Sequence, residues 1–423
     1  YHPDQGIIDY LGGLDDLHNH TIRFIKDPNI SISLDPIRLI RALRFSLTLG
    51  FEIEAYEEKG IVSITGLGGN IPEKSTDIYV GSAGTAARFL VAMLAFTSGE
   101  YVVNSSEQMK KRPMLPLIET LRYCGAEIEC LEEEGHFPLR ICGVKDKGLI
   151  PSVIKVNIDK SSQFLSALLI AAGALGRELT VEIEGSHGLA YVDMTVDMMR
   201  SFGVNVSKNE KETLSYIVSG DSQYQPMEYN IEPDMSAAAY FYGLAAVTGA
   251  SVRVNGVYEK MLQGDVDFLD VLANMGCEVE NTQTGIVLTG PVDGKLEGGF
   301  EINMSSFSDQ ALTLAAIAPF ADDEIKISGI SHIRLQECDR INAIRANLKA
   351  LGVNTDEDED GVIIYPSKPH GGEIETFDDH RVAMAFSLTG LRTEGVTILN
   401  PLCCKKTFKE YFNVLDGVIE ALR

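Results

Sequence analysis

The sequence predicts an α/β protein of two domains, each assembled from copies of one βαβαββ unit. Three observations carry that prediction. The chain has 423 residues, more than one ordinary hydrophobic core organises. Glycines that end amphipathic helices recur at Gly50, Gly125, Gly203, Gly276 and Gly352, between 73 and 78 residues apart. Ala-rich helices recur with entry residues Thr85, Ser162, Ser236, Gln310 and Arg381, between 71 and 77 residues apart. A period of that length is too long for a solenoid and suits a few units packed around a shared axis.

After each glycine comes a strand, a polar turn and a second strand. The copies read "FEIEAYEEKGIVSITG", "AEIECLEEEGHFPLRICG", "VNVSKNEKETLSYIVSG", "CEVENTQTGIVLTG" and "VNTDEDEDGVIIYP". Apolar residues alternating around Gly or polar turns predict hairpins. Between them lie "GTAARFLVAMLAF", "SSQFLSALLIAAGALG", "DMSAAAYFYGLAAVTG", "SDQALTLAAIAPFA" and "DHRVAMAFSLTG", small and apolar on every side, so these helices should be buried all round. "TFKEYFNVLDGVIEALR" adds a sixth helix of the other kind with no hairpin after it. Six units in two sets of three is the simplest arrangement, with "DSQYQPMEYN" as the boundary. The expected domains are residues 50–226, with an incomplete first unit, and 227–423. An Ala-rich helix expected near residue 10 is missing, which makes residues 1–49 foreign to the repeat.

Composition excludes several classes. With 45% hydrophobic and 23% charged residues the chain is globular. No stretch approaches the ~20 apolar residues of a membrane helix, and no basic region leads into an apolar one at the start. A net charge of −25 argues against a nucleic-acid footprint. Seven cysteines, odd in number and without CxxC spacing, fit a reduced cytoplasm. The expectation is a cytoplasmic, monomeric protein without a metal or cofactor.

The helix entries are where free backbone N–H groups and the positive helix end favour phosphate and carboxylate. Arg88, Lys110, Lys111, Arg112, Lys160, Arg334, Arg340, Arg381, Lys405 and Lys406 lie at or near such entries. Each alone reads as a solvated surface charge; together they point to small polyanionic substrates. Asp309, Glu337, Asp339 and Asp379 are the candidate acids or bases, although an Asp at a helix entry also reads as a cap. "HNH" (His18–His20), "DEDED" (Asp356–Asp360) and "GLGGN" read as surface helix, solvated turn and plain turn.

From about residue 50 onward the words "GSAGTAARFL", "KKRPMLPLIETLR", "DKSSQFLSALLIAA", "RLQECDRINAI", "DDHRVAMAFSL" and "KKTFKEYF" resemble the 5-enolpyruvylshikimate-3-phosphate (EPSP) synthase family. The resemblance implies a two-domain inverted α/β barrel and transfer of the enolpyruvyl group of phosphoenolpyruvate to the 5-hydroxyl of shikimate 3-phosphate. It gives Ser161, Ser162, Gln163 and Tyr191 as shikimate-phosphate contacts. Gly84, Thr85, Arg112, Arg340, Arg381 and Lys406 become the phosphoenolpyruvate pocket, Asp309 the base at the 5-hydroxyl and Glu337 the acid at the methylene. The chain departs from the family's pattern at Ser82, at Gln336 where Lys is common, and before Tyr191.

The family's opening Lys, Ser and Arg word has no counterpart in residues 1–49, so activity below that of a form carrying it is expected. "GGLDDLHNHTIRFIKDP" and "LDPIRLIRALRF" resemble a CCA-adding tRNA nucleotidyltransferase or poly(A) polymerase fragment, with Asp35 and Arg38 at nucleotide-recognising positions and a join near Gly50. Alternative readings are a UDP-N-acetylglucosamine enolpyruvyl transferase, against which "SSQF", "KRPM" and "KKTF" argue, a nucleotide- or tRNA-binding protein, and an inactive fusion fragment.

Overall fold

The computed structural model describes residues 52–56, 61–66, 71, 74–185, 188–211 and 213–422. The expectations for residues 1–49, His18–His20, Asp35, Arg38, Gly50 and most of "GLGGN" fall outside them. The first described element is a hairpin, β1 (Glu52–Tyr56) against β2 (Ile61–Thr65), antiparallel and forming a two-stranded sheet by itself.

Three complete copies of the unit follow one plan. In the first, β3 (Ser75–Tyr79) leads through α1 (Gly84–Ala95) to the parallel β4 (Glu100–Asn104). A short α2 (Glu107–Lys110) and α3 (Leu115–Tyr123) then lead to the hairpin β5 (Glu127–Cys130) and β6 (Leu139–Cys142). The sheet order is β3-β4-β6-β5. The second repeats it with β7 (Val153–Asn157), α4 (Gln163–Ala172), β8 (Leu179–Glu184), α5 (Leu189–Ser201), β9 (Val206–Asn209) and β10 (Ser215–Val218), ordered β7-β8-β10-β9.

The next unit is a strand short. It holds α6 (Met235–Thr248), β11 (Ser251–Asn255), α7 (Phe268–Asn274), β12 (Glu278–Asn281) and β13 (Gly285–Thr289) in the order β11-β13-β12. The segment that would supply its leading strand carries Pro226 and Pro233, and a proline cannot donate to a sheet ladder. The third complete copy has β14 (Phe300–Asn303), α8 (Ala311–Ile317), β15 (Ile325–Ser328), α9 (Arg340–Ala350), β16 (Thr355–Glu357) and β17 (Val362–Ile364). The last unit is β18 (Gly372–Ile374), α10 (His380–Gly390), the parallel β19 (Val396–Ile398) and α11 (Tyr411–Leu422).

Helices of the Ala-rich kind meet one another: α1 packs on α4, and α6, α8 and α10 pack together. All seven residues of α8 are buried, as are most of α6 and α10. Small residues set the approach. A Cβ on Gly243 of α6 would stand 2.7 Å from Leu388 Cδ1 of α10. The helices of the other kind stop where predicted, at glycines whose φ (96° at Gly125, 89° at Gly203, 90° at Gly276, 77° at Gly352) lies in the left-handed region that closes a helix without a Cβ penalty.

Two separate hydrophobic cores result, one drawn from residues 71–218 and one from 235–415. The polar stretch between them is anchored to the first half: Gln225 N donates to Phe202 O (2.8 Å), Tyr224 Oη to Ile170 O (3.0 Å), and the Phe202 and Tyr229 rings lie 5.4 Å apart.

Candidate active site

The repeat places helix starts from both halves around one hollow. From the first half come Gly84 and Thr85 at the start of α1, whose N-terminus has no side-chain cap, and Ser161, Ser162 and Gln163 at the start of α4. Gln163 ties the two together: its Nε2 donates to Thr85 Oγ1 (2.9 Å) and its Oε1 accepts from Arg88 Nη1 (2.5 Å). From the second half come Asp309 in the 3-10 turn Ser308–Gln310, Arg340 opening α9, Arg381 in the first turn of α10 and Lys406 closing the turn Pro401–Lys406. The hollow, about 220 Å³, is lined by Thr85, Arg112, Lys160, Ser161, Ser162, Gln163 and Tyr191 on one side and Ser308, Asp309, His332 and Gln336 on the other.

Behind this lining an ion web centres on Arg340, whose side chain is 1% exposed. Its Nη1 donates to Asp309 Oδ1 (2.9 Å) and to Gln336 Oε1, its Nη2 to Glu337 Oε2 (3.0 Å) and its Nε to Asp379 Oδ2 (2.8 Å). Arg381 Nη2 holds the other Asp309 oxygen at 2.8 Å, Lys406 Nζ donates to Glu337 Oε1 at 2.8 Å, and Arg112 Nη1 lies 3.9 Å from that oxygen. Arg112 belongs to the first half and the other web members to the second, so the web spans both. Gln108 Nε2 adds a hydrogen bond to the Glu337 carbonyl (3.3 Å).

The electrostatics favour ionised acids facing permanent cations. Burial opposes the charge on Asp309, but the Arg381 and Arg340 guanidiniums override it and hold the carboxyl below the usual range. Burial likewise opposes Glu337, which Arg340, Lys406 and Arg112 together hold well below that range. Asp379 is held low, against its burial, chiefly by Arg340. Four cations thus meet three carboxylates in a web that keeps a positive excess inside an acidic protein. Gly84 leaves room for the guanidinium: a Cβ there would stand 2.5 Å from Arg112 Nη1 and would displace it.

All twelve site residues expected from the sequence lie in this hollow, in the web or at the helix starts beside them. Tyr191 borders the hollow with its hydroxyl buried and unbonded. Other candidates part from the group. Lys110 pairs with Glu132 (3.0 Å) and Glu107 (3.2 Å), and Arg334 with Asp339 (3.3 Å) and Glu357 (3.2 Å). Lys111 and Lys405 are exposed. Asp339 caps α9 by accepting from Asn342 N, whereas Asp379 both caps α10, accepting from Arg381 N (2.9 Å), and pairs with Arg340.

Sequence reasoning missed two neighbours. Asp265 is buried, accepting from Ser236 Oγ (3.0 Å) and Gln310 Nε2 (2.7 Å), and its burial and the nearby Asp309 charge push its carboxyl up. His332 Nε2 and Ser308 Oγ lie 2.8 Å apart on the hollow's wall. Their local sequences, "QGDVDF" and "ISHIRL", carry no spacing signal.

Comparison with known proteins gives consistent kin. The profile of the family described as EPSP synthase (3-phosphoshikimate 1-carboxyvinyltransferase) matches residues 29–415 and so begins ahead of Gly50. The chain is 42% identical over 374 residues (87% of it, 81% of the relative) to the 3-phosphoshikimate 1-carboxyvinyltransferase 2 of Halalkalibacterium halodurans. It is 39% identical over 365 residues (86% and 84%) to the 3-phosphoshikimate 1-carboxyvinyltransferase of Trichormus variabilis. Among solved structures, an EPSP synthase from Acinetobacter baumannii superposes with a TM-score of 0.71 at 27% identity, covering 90% of this chain and 86% of that one. The enolpyruvyl transferase NikO from Streptomyces tendae, with a TM-score of 0.64 at 15% identity over 88% and 85%, shares the fold.

Proposed function

The chain belongs to the EPSP synthase family, and from that premise we infer that its cleft carries out the family's reaction on small-molecule substrates. The chain is a transferase: the enolpyruvyl group of phosphoenolpyruvate passes to the 5-hydroxyl of shikimate 3-phosphate and phosphate leaves. The observation that carries the reading is the ion web that joins Arg112 of the first half to Arg340, Arg381, Asp309, Glu337 and Lys406 of the second.

In our assignment Asp309 takes the 5-hydroxyl proton. It is ionised and holds no proton of its own, as a base requires. Glu337 delivers a proton to the methylene carbon, giving positive charge at the central carbon that the hydroxyl oxygen traps. Held by Arg340, Lys406 and Arg112 alone, Glu337 is too acidic for that. Phosphoenolpyruvate brings its own phosphate and carboxylate to those cations, and each cation it draws away raises the proton affinity of Glu337. Arg112, Arg340, Arg381 and Lys406 then stabilise the departing phosphate, while the new methyl group returns a proton to Glu337 and the carbon–carbon double bond of the enolpyruvyl group is restored. Ser161, Ser162, Gln163 and Tyr191 are proposed to hold shikimate 3-phosphate, with Gly84 and Thr85 beside the phosphoenolpyruvate.

The division into residues 50–226 and 227–423 is proposed on the two cores and the cytoplasmic location on the cysteine content; a monomer is proposed with them. The nucleotidyltransferase-like reading of residues 1–49 rests on its sequence words. Phosphate release from phosphoenolpyruvate, measured with shikimate 3-phosphate and with UDP-N-acetylglucosamine as acceptors, tests the activity. Release with the first and none with the second is expected; the reverse would overturn the reading.

A further inference from the structure

Arg88 is an unusual charge among the described residues. It sits on α1 one turn after Gly84, is 1% exposed and forms no ion pair among the described residues. Its Nη1 donates to Gln163 Oε1 (2.5 Å), its Nη2 reaches Pro113 O only at 3.4 Å, and its Nε has no acceptor. The guanidinium lies 5.2 Å from the centre of the Phe164 ring. Burial and the neighbouring Arg112 push it down to about 9, against a weaker through-space attraction to Glu337, and it is still cationic at neutral pH. Arg112, too, keeps a buried Nε without an acceptor. A buried charge with no carboxylate in contact is costly and is retained against stability.

We propose that Arg88 is a positioning residue whose missing counter-ion is the bound phosphoenolpyruvate, and that it orients the Gln163 amide toward the cleft. By taking the Gln163 oxygen it forces the Gln163 NH2 toward Thr85 and the hollow, fixing which end of the amide a substrate meets. Its charge lies behind Arg112, where a substrate anion is felt through a low-dielectric wall and is little screened. In the empty protein the same charge repels Arg112. Anion binding relieves that repulsion, so binding energy is stored in the apo fold and released on loading.

The inference rests on the proposed activity, and its test keeps the two apart. Wild-type turnover of phosphoenolpyruvate and shikimate 3-phosphate is measured first; its absence would count against the activity. With turnover present, Arg88→Met should raise the KM for phosphoenolpyruvate roughly tenfold or more with kcat changed much less, while the melting temperature of the ligand-free protein stays level or rises. A structural role would lower the melting temperature and leave KM alone. An unchanged KM, or a lower melting temperature in the ligand-free variant, would overturn the proposal. Gln163→Glu is an independent check that gives the untouched Arg88 a carboxylate: the ligand-free protein should melt higher and bind phosphoenolpyruvate more weakly. A lower melting point or unchanged binding would be equally fatal.

Discussion

At the scale of the residue, Asp309 decides between a base and a cap. Its oxygens are taken by Arg340 and Arg381, not by backbone N–H groups, so its removal spares the helix start but leaves the buried Arg381 without its carboxylate, and should cost stability as well as chemistry. Asp309→Asn is expected to lower kcat by roughly 10²–10⁴, while inorganic phosphate binds no more weakly, because the two arginines lose a competing anion. Phosphate release and a phosphate titration read both; weaker phosphate binding would contradict the assignment. His380 gives a separate prediction. It is 3% exposed, and burial, reinforced by Arg381, lowers its pKa to about 4. The unfolded chain protonates near 6.5, so between those values it binds more protons than the folded one, and stability drains as pH falls from about 6.5 to 4. The loss is about 3 kcal/mol. Asp309, Glu337 and Asp379, held low, contribute stability above the ordinary carboxylate range that is lost only as pH falls through their depressed values. Unfolding midpoints across pH 6.5 to 4 should therefore slope less in His380→Gln, and an unchanged slope would contradict this.

At the scale of the element, the helix stops carry the architecture. Gly125 has φ 96° with nothing near enough to meet a Cβ, whereas Gly417 lies inside α11 with equally open surroundings. Alanine should cost about 1–2 kcal/mol at Gly125, from backbone conformation alone, and add about 0.5–1 kcal/mol at Gly417. Urea unfolding of the two variants checks the opposite signs. These elements were readable because each is local: an Ala-rich helix, a glycine stop and an alternating hairpin announce themselves within a few turns of chain. The missing strand before α6 was not, since whether a segment joins a sheet depends on a partner far away in sequence. The same holds for the site. Helix entries marked Thr85, Ser162 and Arg381, and family words marked Asp309 and Glu337. Asp265 and His332 acquire their standing only through Gln310 and Ser308, which the fold brings to them.

At the scale of the molecule, two cores built on one repeat leave their helix starts facing a shared cleft, and the contacts that bridge it, Arg112 to Glu337 and Gln108 to the Glu337 carbonyl, join the same acidic residue. An acidic protein can thereby bind two anions: the bulk charge is spread over the surface, while the cations that matter are buried, where water and salt screen them least. The most direct measurement is a crystal structure with shikimate 3-phosphate and inorganic phosphate bound. The inorganic phosphate should lie within hydrogen-bonding distance of Arg112 and of at least two of Arg340, Arg381 and Lys406, and the sugar phosphate on Ser161 and Ser162. Either anion seated on one half alone, away from the web around Arg340, would contradict this placement.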